Sequence, residues 1–287
     1  MSFAETVLLG ALAGLTIYLG LPVGRLRLLS SCARVGLAMF AVGILAFIFV
    51  DVLAHANQIV EEALGGFKDG KQSFGHLAAL TAVLLGGFAA GSAGLGILER
   101  RLRPGRPIHP PVAGGAQAAA LTSQDTARLQ TDTELARRRA LETGTVIAVA
   151  IGLHNFAEGL AIGVSARAGA VSLATVLIIG FALHNATEGF GIIGPLGNVT
   201  PSWRWLALAG LIGGGPTFLG AILGYQVTSQ PLELAFYALA AGAILYVIGE
   251  IWNGMRRYGH RELGLIMLAA GFAAGVLTDL VVAYGGG

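Results

Sequence analysis

Long apolar stretches, almost free of charge, recur along this chain at 6–24, 35–59, 77–98, 143–166, 168–196, 205–231, 234–255 and 263–284. Each is close to the roughly 20 residues that a helix needs to cross hydrocarbon. The runs are continuous rather than alternating, which favours helices over a barrel, because a segment isolated in lipid must satisfy its own backbone hydrogen bonds. With 55% hydrophobic and 12% charged residues, the charged fraction is about half that of a soluble domain, and little chain is left to build one. The expected fold is an all-α integral membrane protein: a bundle of eight transmembrane helices forming one transmembrane domain over 1–287. A single cysteine, Cys32, excludes an intrachain disulfide and a cysteine-cluster metal site. A net charge of +2 gives no reason to expect nucleic acid as a partner. The first stretch has no Lys or Arg before it and is followed by Arg25 and Arg27, which predicts a retained anchor rather than a cleaved leader.

Orientation follows from where the cations fall, since Lys and Arg stay preferentially on the cytoplasmic side. Alternate connections carry Arg25, Arg27 and Arg34, then Arg100, Arg101, Arg103, Arg106, Arg128, Arg137, Arg138 and Arg139, then Arg204, then Arg256, Arg257 and Arg261, fifteen of the 18 cations. Lys68, Lys71 and Arg167 lie on the other side. Eight helices with both termini extracytoplasmic satisfy this asymmetry, and seven or nine would scramble it. The expected location is the cell (inner) membrane, with multiple passes. The long connection at 99–142 falls on the cytoplasmic side. It opens with Pro104, Pro107, Pro110 and Pro111, continues through a small-residue stretch at 113–120, and is predicted to be a flexible cytoplasmic loop. From Thr122 onward, polar residues and the cluster Arg137 to Arg139 predict an amphipathic or solvated helix that runs into the fourth stretch. That basic cluster is an orientation and headgroup signal, and His109 is the loop's single histidine.

Ionisable groups inside the apolar stretches carry the functional information, because each costs at least about 2.5 kcal/mol to insert. In the fourth stretch, His154, Asn155, Glu158 and Gly159 form the pattern His-Asn-x-x-Glu-Gly. The fifth repeats it 30 residues later as His184, Asn185, Glu188 and Gly189. A short connection makes the two segments antiparallel, so the motifs can face each other near mid-membrane. Residues four apart share a helix face about 6 Å apart along the axis, so each segment offers one imidazole and one carboxylate in line. Two nitrogens and two carboxylates, without sulfur, suit divalent zinc, iron, manganese, cobalt or cadmium and suit copper(I) poorly. Asn155 and Asn185 add neutral oxygens on the neighbouring flank. With neutral imidazoles, the two glutamate charges balance one dication, and two ions would overrun them in low dielectric. The competing reading is a bundle held by interhelical hydrogen bonds with protonated glutamates; duplication of the whole pattern in adjacent segments argues against it.

At these residues the chain resembles the ZIP (Zrt/Irt-like) family of divalent metal ion transporters, whose fourth and fifth spans carry such motifs. The resemblance extends over eight spans, the outward termini, the cytoplasmic connection after the third span, and the small-residue segment 236–249 that ends in Glu250. It implies a principal transport site of His154, Glu158, His184 and Glu188, with Asn155 and Asn185 sharing the glutamates in an adjoining second site. It also implies a homodimer and an alternating-access carrier in which a helix group containing spans four and five moves against the rest. Zinc leads as the transported ion, ahead of iron, manganese and cadmium, and the direction is toward the cytoplasm. The ion is cargo, and no separate cofactor is implied. Where many members place proline before the motif glutamate, this chain has Ala157 and Thr187. Where members with a well-formed second site place glutamate before a proline in span six, it has Gly215-Pro216, which agrees with one dominant ion.

Further ionisable groups mark a possible pathway. Asp51 and His55, also four apart, sit at the expected extracytoplasmic end of span two with Asn57, Glu61 and Glu62 beyond. Both an entrance funnel and an ordinary wet helix end fit them. Glu250, beside Trp252 and Asn253, would either accept the departing ion or pair with Arg256. Asp279, His76 and His260 read as interfacial residues, and Trp203, Trp205 and Trp252 as an interface belt. No phosphate-binding loop for ATP is present. The alternative function is an intramembrane metal-dependent hydrolase, which needs an open coordination position and a general base. The chain lacks the His-Glu-x-x-His signature, and both motif carboxylates are committed as ligands, so the protein is not expected to be an enzyme.

Overall fold

The computed structural model describes residues 1–26, 30–102, 123–167, 169, 171–197, 199–226, 229–256 and 258–284. Every regular element among them is helical. Helix α1 (Phe3–Leu15) starts at a reciprocal cap: Glu5 N donates to Ser2 Oγ and Ser2 N donates to the Glu5 carboxylate. It breaks at Thr16, whose hydroxyl donates to the Ala13 carbonyl at 2.7 Å. The chain then continues through α2 (Ile17–Gly20) and a 3-10 turn (Leu21–Arg25). Helix α3 (Ser31–Lys68), capped by the Ser30 hydroxyl, has 38 residues. At 1.5 Å per residue it is about 57 Å long, longer than a bilayer's hydrocarbon core needs, and it carries Asn57, Glu61 and Glu62 on the same helix as Asp51 and His55.

Helix α4 (Phe74–Ala89) passes through a π-helical turn (Ala90–Gly94) into α5 (Leu95–Leu102). Helix α6 (Ser123–Arg167) runs 45 residues without interruption; the polar lead-in expected from Thr122 onward is its first part. The proline-rich start of the connection, with Arg103, Arg106 and His109, lies outside the described residues, as do Arg27 and Arg257. Helix α7 (Val171–Ile193) folds back against α6 after a tight reversal in which Gly169 takes φ 80°. Then follow a 3-10 turn (Gly194–Leu196), α8 (Trp203–Gln226) with Pro216 inside it, α9 (Gln230–Arg256) and α10 (Arg261–Tyr284). Seven segments among the described residues are long and apolar enough to cross a membrane: 3–25, 31–68, 74–101, 133–167, 203–226, 230–256 and 261–281.

The segment containing α6 is central: 78% of its most apolar window is buried, against 17% for the segments containing α4 and α10. Helix α6 packs against α8, α9 and α7, while α3 packs against α10 and α9. The α6–α8 crossing is backbone against backbone. A Cβ on Gly159 would collide with the Thr217 carbonyl, and one on Gly220 with the Phe156 carbonyl. Small residues of this kind are how helices approach closely where lipid offers no hydrophobic drive. Ile147, Ile151, Ile192, Ile244, Val247 and Ile251 fill the core between the helices. Leu8, Leu12, Leu19, Leu208, Leu211, Ile266 and Leu277 face outward. The bundle thus exposes large apolar side chains while burying His154, Asn155, Glu158, Asn185 and Glu188, the arrangement a membrane solvent favours.

Two tethers fix the ends of α8 against α6. Trp205 Nε1 donates to Thr145 Oγ1 at 3.2 Å, and the Arg167 guanidinium donates to the Tyr225 and Gln226 carbonyls at 2.9 and 2.8 Å. The second tether satisfies carbonyls that a helix C-terminus leaves bare. Together they hold the middle of α6 in register with the middle of α8.

Candidate metal site

The helical repeat places His154 above Glu158 on α6, and the His154 Nε2 to Glu158 Oε1 distance is 2.7 Å. From α7, His184 Nε2 reaches the same Oε1 at 2.5 Å. One carboxylate oxygen is therefore flanked by two imidazoles from antiparallel helices, with the rings 6.2 Å apart. Glu188 closes the fourth side, its Oε1 3.7 Å from His154 Nε2. Its other oxygen accepts from Asn155 Nδ2 at 3.0 Å. One ligand atom from each of His154, Glu158 and His184 can be chosen so that all lie within 4.8 Å of one another, a group able to hold a metal ion.

The site is dry. His154 and Asn155 have no exposure, Glu188 has 1% and Glu158 has 5%. The His184–Glu158 contact is a hydrogen bond, whereas His154 Nε2, although 2.7 Å from Glu158 Oε1, is a buried polar atom without a hydrogen-bond partner. Glu158 Oε2, Glu188 Oε1, Asn155 Oδ1 and Asn185 Oδ1 are buried without a hydrogen-bond donor. Acceptors of this kind are costly in an apolar interior. They are the chemistry that a hard or borderline cation satisfies.

The six motif residues do not all converge. Asn155 lies beside Glu188 and also donates to the Gly213 carbonyl of α8 at 3.0 Å. Asn185 turns to α1 instead, where it donates to the Ala13 carbonyl at 3.1 Å. Asp51 and His55 pair at 3.6 Å and are about half exposed. Asp51 is within electrostatic range of Asp279, Glu158 and His154, and the His55 ring stands 6.0 Å from that of Tyr237. Glu250 is half-buried on α9 and is not part of the grouped ligands.

Sequence reasoning missed the backbone partners, the Gly213 and Ala13 carbonyls, and the buried Thr217 hydroxyl, which has no hydrogen-bond partner among the described residues. The available signal was Pro216 inside an apolar stretch. Proline has no N–H to return to the Ile212 carbonyl, so it loosens α8 where the motif asparagine docks.

Comparison with known protein families matches residues 114–273 to the ZIP zinc transporter family. That range covers α6 through most of α10 and is more than half of the chain. The chain belongs to the ZIP zinc transporter family. Both His-Asn-x-x-Glu-Gly motifs lie inside the matched range, so the buried His/Glu group is the polar centre of a ZIP-family transmembrane region. Members of this family transport divalent metal cations and are not enzymes. No match was found among curated proteins.

Proposed function

We propose that this ZIP-family chain moves a divalent transition-metal ion, zinc foremost and iron, manganese or cadmium as further substrates, toward the cytoplasm through His154, Glu158, His184 and Glu188. The observation that carries this reading is the convergence of two imidazole nitrogens on Glu158 Oε1 at 2.7 and 2.5 Å, with Glu158 Oε2 and Glu188 Oε1 buried and lacking donors. An incoming ion takes imidazole nitrogens and carboxylate oxygens as its ligands, and its charge offsets that of the two glutamates. Asn155 sets the angle of Glu188. Asn185, directed at Ala13, contributes to a second site only if its side chain turns. No finding favours the hydrolase reading, since both motif carboxylates face imidazoles.

The same reading takes α7 as the eighth span beside the seven other membrane-length segments. Both termini are then extracytoplasmic, and the arginine-rich connections lie in the cytoplasm of a cell that carries the protein in its inner membrane as a homodimer. Asp51 and His55 form the way in, and Glu250 receives the ion on the way out. Alternating access is supported by the packing. Backbone-tight glycine contacts join α1 to α8, α2 to α7 and α6 to α8, and separately α3 to α10 and the π-helical turn to α9. The ring contact of Phe156 with Phe236, which joins α6 to α9 across the two groups, is a side-chain contact with centroids 4.6 Å apart. Such contacts slide more readily than interlocked backbones.

Uptake into vesicles tests the proposal. Wild type should accumulate zinc saturably without ATP, while Glu158→Ala and His184→Ala should be folded in the membrane and inactive. Wild-type uptake by both variants would remove the site assignment.

A further inference from the structure

At the end of the bundle opposite Asp51, a second feature stands apart from the metal group. A cavity of about 340 Å³ opens between the start of α3, the end of α9 and the start of α10. Its floor is apolar: Val35, Met39, Met255 and Leu265. Its rim carries Arg256, His260 and Arg261, with Trp252 on one wall, and no carboxylate is among the described residues that line it. The first turn of α10, which begins at Arg261, adds backbone N–H groups that a helix start leaves without helical acceptors. His260 is held beside them in the left-handed region at φ 54°, its Nε2 3.1 Å from Ser31 Oγ. A non-glycine residue keeps that conformation at a cost of about 1 kcal/mol or more, so its neighbours hold the rim in shape.

We propose that this cavity binds the phosphodiester headgroup of one anionic phospholipid, with the acyl chains leaving over Leu265 toward bulk lipid. Three observations select this occupant. The turn joins two membrane-length helices, so the rim stands at headgroup depth. The rim is cationic and the lining has no acid to repel phosphate. The floor continues into Leu265 and Ile266, which are 45% and 64% exposed on the lipid-facing side of α10. A soluble phosphate would use the rim and leave that floor dewetted; an amphiphile uses both. Basic pockets between helix ends are a recurrent form of anionic lipid recognition. The lipid would join α9 to α3 and α10 at this end, independently of the ion that the bundle carries.

Trp252 reports on the pocket directly. Wild type and Trp252→Phe are reconstituted in phosphatidylcholine vesicles containing a minor fraction of either phosphatidylglycerol or phosphatidylcholine with brominated acyl chains, and the quenching of Trp252 is taken from the difference between the two proteins. Brominated phosphatidylglycerol should quench it as though enriched about tenfold or more at the pocket, as two arginines at the surface imply. The double variant Arg256→Gln/Arg261→Gln should lose that preference. Gly264→Leu should lose it as well: a Cβ at Gly264 already meets Met39 Cγ at 3.4 Å, so leucine fills the floor and leaves both arginines in place. Equal quenching of wild type by the two brominated lipids overturns the proposal. So does a preference that survives in Gly264→Leu, or one that inorganic phosphate alone abolishes. Because quenching requires no transport, failure here is separable from failure of the metal site.

Discussion

His184 Nε2 stands 2.5 Å from Glu158 Oε1, although the two residues belong to different helices and lie 26 positions apart. The contact joins the two copies of the motif through their centre. Glu158 takes both imidazoles, while Glu188 is held by Asn155 and lies 3.7 Å from His154. The two glutamates are therefore unequal in a repeat that the sequence writes almost identically.

That inequality orders the effects of substitution. Glu158→Gln keeps the volume but removes the charge that both imidazoles share, and it should reduce zinc uptake at least about 100-fold, beyond the range that a supporting residue commands. Asn155→Ala removes the donor to Glu188 Oε2 and the tie to Gly213, and should weaken zinc affinity about 10- to 100-fold. Titration of purified protein with zinc, together with vesicle uptake, measures both. An Asn155→Ala effect larger than that of Glu158→Gln would reverse the assigned roles.

Metal binding should release protons. Histidine coordinates only when neutral, so an imidazole protonated at low pH must give up its proton to bind the ion. Acid therefore opposes binding: for each proton displaced, apparent affinity should fall about tenfold per pH unit at the acid end. Calorimetry in buffers of different ionisation enthalpy counts the protons, and at least one per ion is expected near neutral pH. Affinity that rises on acidification would contradict the exchange.

The α6–α8 crossing should not tolerate a side chain. Gly159→Val places Cβ against the Thr217 carbonyl, where backbone rather than a movable side chain is in the way. It should destabilise the folded protein by about 1–3 kcal/mol, read as a lower thermal midpoint in detergent. Gly86→Val, where a Cβ meets nothing within 4 Å, is the control and should leave the midpoint nearly unchanged.

Asp51→Asn should raise the zinc concentration for half-maximal uptake several-fold and leave the maximal rate within about twofold, because a partly exposed carboxylate attracts ions without fixing the coordination. A loss of maximal rate as complete as that of Glu158→Gln would place Asp51 in the binding site itself.

Much of this was legible in the sequence because lipid imposes simple rules. Uncharged length marks the spans, and a charge inside them marks a purpose, which is how His154, Glu158, His184 and Glu188 stood out. Their spacing of four fixed the face of each helix, and the short reversal around Gly169 fixed their opposition. The fate of the two asparagines was not legible. Asn155 turns toward Glu188 and Asn185 toward Ala13 because α8 presents its Gly213 carbonyl near a proline and α1 breaks at Thr16. Those are properties of neighbouring helices that a local motif does not encode. The length of α3 was also hidden: hydropathy ends near residue 59, but nothing breaks the backbone until the turn at Asp69 and Gly70, the latter at φ 72°.

The most direct test of the central claim is X-ray absorption at the zinc edge of protein loaded with one equivalent of zinc, in wild type and in His184→Ala. Two imidazole nitrogens at about 2.0–2.1 Å with carboxylate oxygen completing the shell, reduced to one imidazole in the variant, is the predicted result. Zinc bound without imidazole scattering, or an identical spectrum in the variant, would contradict it.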